Sequence, residues 1–459
     1  MTKAEVLFGS DKLKALLKTL RRGFNSYAFY IIETLAACAF VALRAEVLGA
    51  IFFVALLGIL LVVCDDVLPT TLPFLIVSTI TTNCYDSFDL FFPYIIYAPI
   101  VVACLIFHFV VYPKPMQTGE SANGIFAVSL AVLFGGVGRF TFMDYFYGAY
   151  YIFGLGAGML AAYFLMKSQF SVRRDYDLKE KFSVIMTLLG IICSFMIAYG
   201  YFKVHMKWVP GLYPAAFSRN NLSTLLMFAM PFPLYLAHKR KYLAILTVGF
   251  YGAIAASTSR GGLLCGGAEL VVCAAYWIFT GKHKKIRALI CVTVFVLFLV
   301  VAGKFIYNWL MHRIEDQNAT IENDSRWKMM WQAIYNFKSR PISGNGIMDN
   351  DLYYAAFKKK GSMSWYHMMI PQIVGSMGMI GIVAYTLQGL GRCKLALRKA
   401  SKWSLCLGLS YLGILFMSQV NPGEFCPIPF ELLTVLLFIF QEERFLMPKP
   451  LYKPKKEHK

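Results

Sequence analysis

Ser257-Thr258-Ser259-Arg260-Gly261-Gly262 stands between two long apolar runs, one beginning near residue 242 and the other near 261. Each run is long enough to cross a bilayer as a helix, for which roughly 20 apolar residues suffice. The hexapeptide is then a turn at a membrane boundary, and Arg260 is a permanently charged guanidinium held there, a costly and therefore informative position. Working outward, apolar runs recur with starts near residues 27, 47, 67, 91, 122, 143, 182, 220, 287, 367, 402 and 427. The pattern predicts an all-α polytopic membrane protein with about 12 to 14 transmembrane helices, the spread arising from short runs before residue 145.

Composition agrees. With 58% hydrophobic and only 15% charged residues over 459 positions, the chain has no polar skin for a water-soluble globule. The net charge of +20 would point to nucleic acid in a soluble protein, but here the basic residues collect in short links between apolar runs, so no nucleic-acid partner is expected and the lipid bilayer is. Of the eleven cysteines, Cys38, Cys104, Cys193, Cys265, Cys273 and Cys291 lie inside apolar runs and no C-x-x-C pair occurs, so they read as small buried residues. Cys84 and Cys426 fall near one face and are the one pair with any case for a disulfide. At the start of the chain, Leu13, Leu16, Leu17 and Leu20 recur at helical spacing among Lys12, Lys14, Lys18, Arg21 and Arg22, which suits a helix lying on an anionic leaflet before a retained first span.

The links alternate in charge. Arg173, Arg174, Lys179 and Lys181 precede one span; His238, Lys239, Arg240 and Lys241 come two spans later; Lys282, Lys284, Lys285 and Arg287 follow after two more. Arg392, Lys394, Arg398, Lys399 and Lys402 continue the series, and Lys453, Lys455 and Lys456 close the tail. By the positive-inside rule these links and both termini are cytoplasmic, and the protein is a multi-pass component of the plasma membrane. The organisation expected is a basic cytoplasmic segment over 1–26, membrane helices over 27–303, a large extracytoplasmic loop over 304–366, the last spans over 367–441 and a basic tail over 442–459. Arg219, Arg260 and His367 then all fall at the outer face.

Within the large loop, Trp327, Met330, Trp331, Ile334 and Tyr335 recur at helical spacing until Pro341, predicting an amphipathic helix that caps the membrane helices. Two arginines and a histidine at an outer surface suit a substrate carrying a diphosphate in the membrane plane. Guanidinium groups offer paired donors to phosphate oxygens, fixed cations stabilise charge that develops on a departing phosphate, and a histidine can accept a proton from an attacking hydroxyl. Arginines that neutralise the leaving group require no metal and no cofactor; Asp349-Asn350-Asp351 is the one acidic pair in an outer loop and reads equally as a turn. Singly, each residue has a plainer reading: Arg260 as a snorkelling or lipid-anchoring residue, His367 as an interface residue, Asn220 and Asn221 as a helix cap. Glu33 and Glu269 inside spans suit either a structural pair or a conduction site. Asp65-Asp66-Val67-Leu68-Pro69 is an unexpected charged junction, and Glu424 in the last outer link is an alternative base.

The order of these residues resembles the O-antigen ligase and O-antigen polymerase superfamily of bacterial membrane glycosyltransferases. The resemblance runs from about Phe217 to Ile382: Phe217-Ser218-Arg219-Asn220-Asn221, then Ser259-Arg260-Gly261-Gly262, then a long outer loop. In that loop Arg326-Trp327 precedes Arg340-Pro341-Ile342-Ser343-Gly344-Asn345-Gly346, and Trp365-Tyr366-His367 leads into Gly375-Ser376-Met377-Gly378-Met379-Ile380-Gly381. It implies an inverting, metal-independent transferase that uses an undecaprenyl-diphosphate-linked glycan as donor and another glycan, a lipid or a wall polymer as acceptor. By the same resemblance Arg219 and Arg260 would hold the diphosphate and His367 would activate the acceptor hydroxyl or assist the transfer. Ser259, Asn220, Arg326, Arg340 and Tyr366, in the same motifs, are weaker candidates for contact with diphosphate or glycan. One departure is that Met368 stands after the histidine where members commonly carry asparagine. Two other readings compete. One is a transporter or flippase of the lipid-linked sugar, which would favour ionisable groups near the midplane; the other is a peptidoglycan-type polymerase.

Overall fold

Helices make up the regular structure of residues 11–83, 92–136, 152–172, 174–203, 218–314, 325–347, 366, 368–398, 401–421 and 423–442, which the computed structural model describes; no strand occurs among them. An amphipathic helix, α1 (Asp11–Phe24), bends by 62° at Ser26 into the apolar α2 (Tyr27–Ala42). Then follow α3 (Glu46–Val63), α4 (Leu68–Asn83), α5 (Ala98–Val111), α6 (Ala122–Phe134), α7 (Ala157–Phe170) and α8 (Leu178–Lys203). The second half holds α9 (Arg219–Ala229), α10 (Pro231–Leu236), α11 (Ala244–Ala256), α12 (Arg260–Thr280), α13 (Lys284–Ile314), α14 (Ser325–Ser339), α15 (Met369–Arg398), α16 (Lys402–Ser418) and α17 (Leu432–Glu442).

Four of these, α3, α8, α12 and α15, are long and apolar enough to cross a membrane, and the bent pair α1–α2 makes a fifth candidate. Shorter apolar helices, α4, α5, α6, α11 and α16 among them, pack beside the long ones. Helix α8 lies deepest, with 67% of its apolar window buried against 33% for α12, so α8 is a central post and α12 keeps a large lipid-facing side. Around α8 the main core joins α2, α4, α9, α10, α11 and α16 through residues such as Tyr30, Phe182, Phe228, Phe232 and Trp403. Helices α9 and α10 run end to end through Met230, and every residue from Leu222 to Leu234 is buried, so a segment with Pro231 and Pro233 is supported from all sides.

The bundle has two chemically distinct ends. At one end the basic links pair with acids and carbonyls: Lys239 with Glu180 at 2.6 Å, Lys181 Nζ with Asn25 Oδ1 at 2.7 Å, and Tyr276 OH with the Lys402 carbonyl at 3.0 Å. The Asp65-Asp66 junction belongs here. Asp66 caps α4 by accepting from Leu68 N and takes a two-pronged bond from Arg174, with Nε at 3.0 Å and Nη2 at 3.1 Å, while Tyr176 OH donates to it as well. At the opposite end lie the start of α9, the 257–259 turn, the start of α12 and Asn421.

The amphipathic helix of the large loop is α14, but its buried stripe differs from the expected one. Met329, Ala333 and Asn336 face inward, whereas Trp327, Trp331 and Tyr335 are exposed. The reason is steric: α14 rests on Gly375 and Tyr366 of the next segment, where the Ala333 backbone approaches so closely that a Cβ on Gly375 would lie 3.1 Å from Ala333 Cα. Bulky aromatic side chains do not fit that seam.

Helix α15 is broken at Gly378, whose φ of 57° is left-handed. The 340–346 segment fills the break. Met379 N donates to the Pro341 carbonyl and Ile380 N to that of Ile342, while Asn345 N and Gly346 N donate to the carbonyls of Gly375 and Ser376. Backbone groups released by the kink are thereby satisfied, as an apolar setting demands. A Cβ at Gly378 would stand 2.6 Å from the Pro341 oxygen, so both the conformation and the contact require glycine.

Candidate functional site

Serine starts both helices that build the site. Ser218 and Ser259 take extended backbone angles just before α9 and α12, and the Ser259 hydroxyl accepts from Gly262 N at 3.1 Å, the usual way to satisfy an orphan amide of the first turn. The same hydroxyl donates to Asn220 Oδ1 at 2.8 Å, so the cap of one helix is fastened to the first turn of the other. Below it, Ser223 Oγ lies 2.9 Å from Ser257 Oγ; because Ser257 gives its proton to the Ile254 carbonyl at 2.6 Å, Ser223 is the donor.

Between the serines, Thr258 adopts φ 57°, a left-handed conformation that costs a residue with a Cβ about 1 kcal/mol or more. That twist turns its carbonyl outward, where Arg219 Nη1 donates to it at 3.2 Å. Arg219 is thus fixed to the backbone two residues before Arg260, which is exposed at the mouth of the turn. The two glycines after Arg260 are packing requirements: a Cβ at Gly262 would lie 2.8 Å from Ser223 Cβ, and one at Gly261 2.5 Å from Val420 Cγ2. Arg219, Asn220 and Ser259 are therefore brought together, with Arg260 next along the chain. Two helix N-termini, each opening on an arginine, are held side by side, an arrangement suited to an anion.

Arg326 lies in the first turn of α14. Arg340 and Tyr366 belong to a second centre at the other end of α14. Tyr366 is 1% exposed; its hydroxyl accepts from Asn336 Nδ2 at 2.5 Å and its amide donates to Gln372 Oε1 at 3.1 Å. Gln372 in turn donates to Ser376 Oγ at 2.9 Å, and the Arg340 carbonyl accepts from Gly344 N at 2.9 Å. Tyr366 is an anchor buried under the cap and not a surface for glycan. His367, Asp349-Asn350-Asp351 and Cys84 lie outside the described residues; Cys426 turns its thiol to the Ile428 carbonyl at 3.5 Å.

Sequence reasoning overlooked Asn421, Thr82 and Ser223. Asn421 donates to Asn221 Oδ1 at 3.4 Å, and Asn221 to the Thr82 carbonyl at 3.3 Å, so the link after α16 and the end of α4 wall the site. No spacing rule could have joined residues so distant along the chain. Glu424, the alternative base, is excluded by its surroundings. It is 2% exposed, with Oε1 3.0 Å from Arg392 Nη1, and Glu431 Oε1 holds Nη2 of the same guanidinium at 2.8 Å. A buried carboxylate engaged by a cation is not available as a base at the surface.

The protein-family model described as O-Antigen ligase matches residues 243–386. That stretch runs from α11 through the first half of α15 and contains Ser259, Arg260, Arg326, Arg340, Tyr366 and His367 but neither Arg219 nor Asn220. No curated protein and no solved structure matches the chain.

Proposed function

We propose, from the match of residues 243–386 to the O-Antigen ligase family model, that this protein is a glycosyltransferase acting on undecaprenyl-diphosphate-linked glycan at the outer face of the plasma membrane. The observation that supports the reading is the fastening of the starts of α9 and α12, which carry Arg219 and Arg260, by the Arg219–Thr258 and Asn220–Ser259 hydrogen bonds. In the reaction, an acceptor hydroxyl attacks the anomeric carbon as the bond to the diphosphate oxygen breaks, inverting that carbon. The leaving diphosphate gathers negative charge, which Arg219, Arg260 and the N-termini of α9 and α12 stabilise without a metal. His367 takes the proton of the acceptor hydroxyl. The 304–366 segment is the extracytoplasmic cap, the chain makes about 12 to 14 crossings as its apolar runs suggest, and both termini lie in the cytoplasm with the basic links.

The acceptor is another lipid-linked glycan, a lipid or a wall polymer. The test is to incubate purified protein with undecaprenyl-diphosphate-linked glycan from its host, with and without each acceptor, and to follow release of undecaprenyl diphosphate beside an Arg260→Ala control. Release that needs Arg260 supports the transferase, and the acceptor that accelerates it separates polymerase from ligase. A transporter draws some support from the broken α15 and the buried Arg392, Glu424 and Glu431. In transporters, however, a helix break leaves backbone groups to coordinate cargo, whereas here the 340–346 segment occupies them. Movement of lipid-linked sugar across a vesicle membrane without release of undecaprenyl diphosphate would decide for the transporter.

A further inference from the structure

Helix α1 separates its faces sharply. Leu13, Leu16, Leu17, Leu20 and Phe24 share one arc at helical spacing, with Arg21, Lys14 and Lys18 along one border, Lys12 on the other and Arg22 on the far side. Leu17 is buried against the protein at 9% exposure, while Leu16 is 55% exposed and Leu13 and Leu20 also lie open. Arg21 is diverted inward: its Nε donates to the Val63 carbonyl at 2.8 Å, its Nη1 is 3.6 Å from Asp65, and its guanidinium lies 5.2 Å from the centre of the Tyr112 ring. The other four cations, Lys12, Lys14, Lys18 and Arg22, are exposed, and the one acid in the helix is Asp11. The 62° bend into the apolar α2 lays α1 nearer the membrane plane than its normal, at the level where α2 enters the bilayer.

We propose that α1 is an in-plane anchor whose exposed leucines insert into the leaflet at the basic end of the bundle while Lys12, Lys14, Lys18 and Arg22 bind anionic lipid headgroups, with Arg21 tying the helix to the α3–α4 junction. An apolar arc bordered by cations is the pattern of interfacial helices. A second copy of the chain is a poorer occupant for this face, because two such helices in contact would bring eight exposed cations together with few acids to neutralise them.

The test uses the full chain in lipid nanodiscs of phosphatidylcholine, with or without phosphatidylglycerol, and amide hydrogen exchange read over residues 11–24. Each cation near an anionic surface contributes enough that roughly tenfold slower exchange is expected with phosphatidylglycerol, and high salt should remove the difference. The variant Lys12→Gln/Lys14→Gln/Lys18→Gln/Arg22→Gln keeps helix propensity and should exchange alike in both lipids, while Arg21→Gln should speed exchange in both and preserve the lipid difference. Unchanged exchange in α8 confirms that the variants are folded. Equal protection of the wild type in both lipids would overturn the proposal, and so would protection that appears only in discs holding two copies.

Discussion

Gly262→Ala tests whether the close approach of α12 to α9 is what builds the site. The added Cβ would stand 2.8 Å from Ser223 Cβ, 2.9 Å from Ser223 Oγ and 3.0 Å from Ser259 Oγ. Carbon atoms rest at about 3.5 to 4.0 Å, so α12 must retreat by roughly 1 Å or two engaged serines must turn away. Overpacking of this kind costs about 1–3 kcal/mol, offset by up to about 1 kcal/mol from alanine's better helix propensity. The protein should therefore fold and insert, with a melting temperature in detergent only a few degrees lower. Turnover is another matter, because misplacing a catalytic group by about 1 Å can cost on the order of 100-fold. The assay is the initial rate of undecaprenyl diphosphate release, with Gly249→Ala and Gly252→Ala as controls, since a Cβ at either meets nothing within 4 Å. Adding Ser223→Gly to Gly262→Ala removes the clashing atoms and should recover at least about tenfold of the loss, as a double-mutant cycle between touching residues predicts. Wild-type turnover in Gly262→Ala would refute the argument that helix spacing sets the arginine geometry.

Arg260→Ala and Arg219→Ala should each lower transfer by roughly 100-fold or more with insertion intact, and Arg260→Lys should stay impaired because a point charge lacks the paired donors of a guanidinium; steady-state release assays decide both. His367→Ala should reduce turnover more than apparent donor affinity, which separate measurements of kcat and KM will show. Burial alone would push the Asp66 carboxyl up, but the Arg174 charge and the hydrogen bonds from Arg174, Tyr176 and Leu68 outweigh it and hold the group below the usual carboxylate range. Its contribution to stability is then complete above about pH 4 and is lost as pH falls through the depressed value. Asp66→Asn, which leaves Arg174 without its charge partner, should cost about 3–5 kcal/mol near neutrality and flatten that acid limb in thermal melts taken across pH.

Local signals are legible only in part. The plain reading of Asn220 and Asn221 as a helix cap is displaced by one turn position, since Ser218 takes the cap and both asparagines lie inside the first turn, while the cap made by Ser259 is found only in the structure. The buried face of α14 is not legible in the sequence because apolar spacing marks a stripe and not the seam that receives the helix. The seam over Gly375 admits only Ala333 and the slim Asn336, whose amide is accommodated by the Tyr366 hydroxyl, so a polar residue is buried where an aromatic one was expected. Glu33 and Glu269 are buried inside their helices, and neither carboxyl has a hydrogen-bond partner among the described residues.

Arg392 shows where a charge count stops being a topology argument. In the sequence it stands with Lys394, Arg398, Lys399 and Lys402 and reads as one more cation of a basic link. In the structure α15 continues to Arg398, so Arg392 is a full turn and more inside the bundle. It is 3% exposed, with Glu424 and Glu431 on its two nitrogens and the Phe438 ring 5.1 Å from its guanidinium carbon. Lys394, Arg398 and Lys402 remain exposed, so the link keeps enough positive charge to mark its side of the membrane without Arg392. What Arg392 does instead follows from its partners. Glu424 lies three residues after Asn421, which bonds to Asn221 at the outer site, so one buried guanidinium holds in place the chain segment that walls the cationic surface. Arg392→Met would remove that hold and leave two carboxyl groups buried without a counter-charge, a loss of roughly 3–5 kcal/mol. Arg392→Met with Glu424→Gln and Glu431→Leu removes the charges together and should recover most of the stability but not the position of Asn421. Full transfer activity in that stable triple variant would show that the wall of the site does not depend on the buried ions at all.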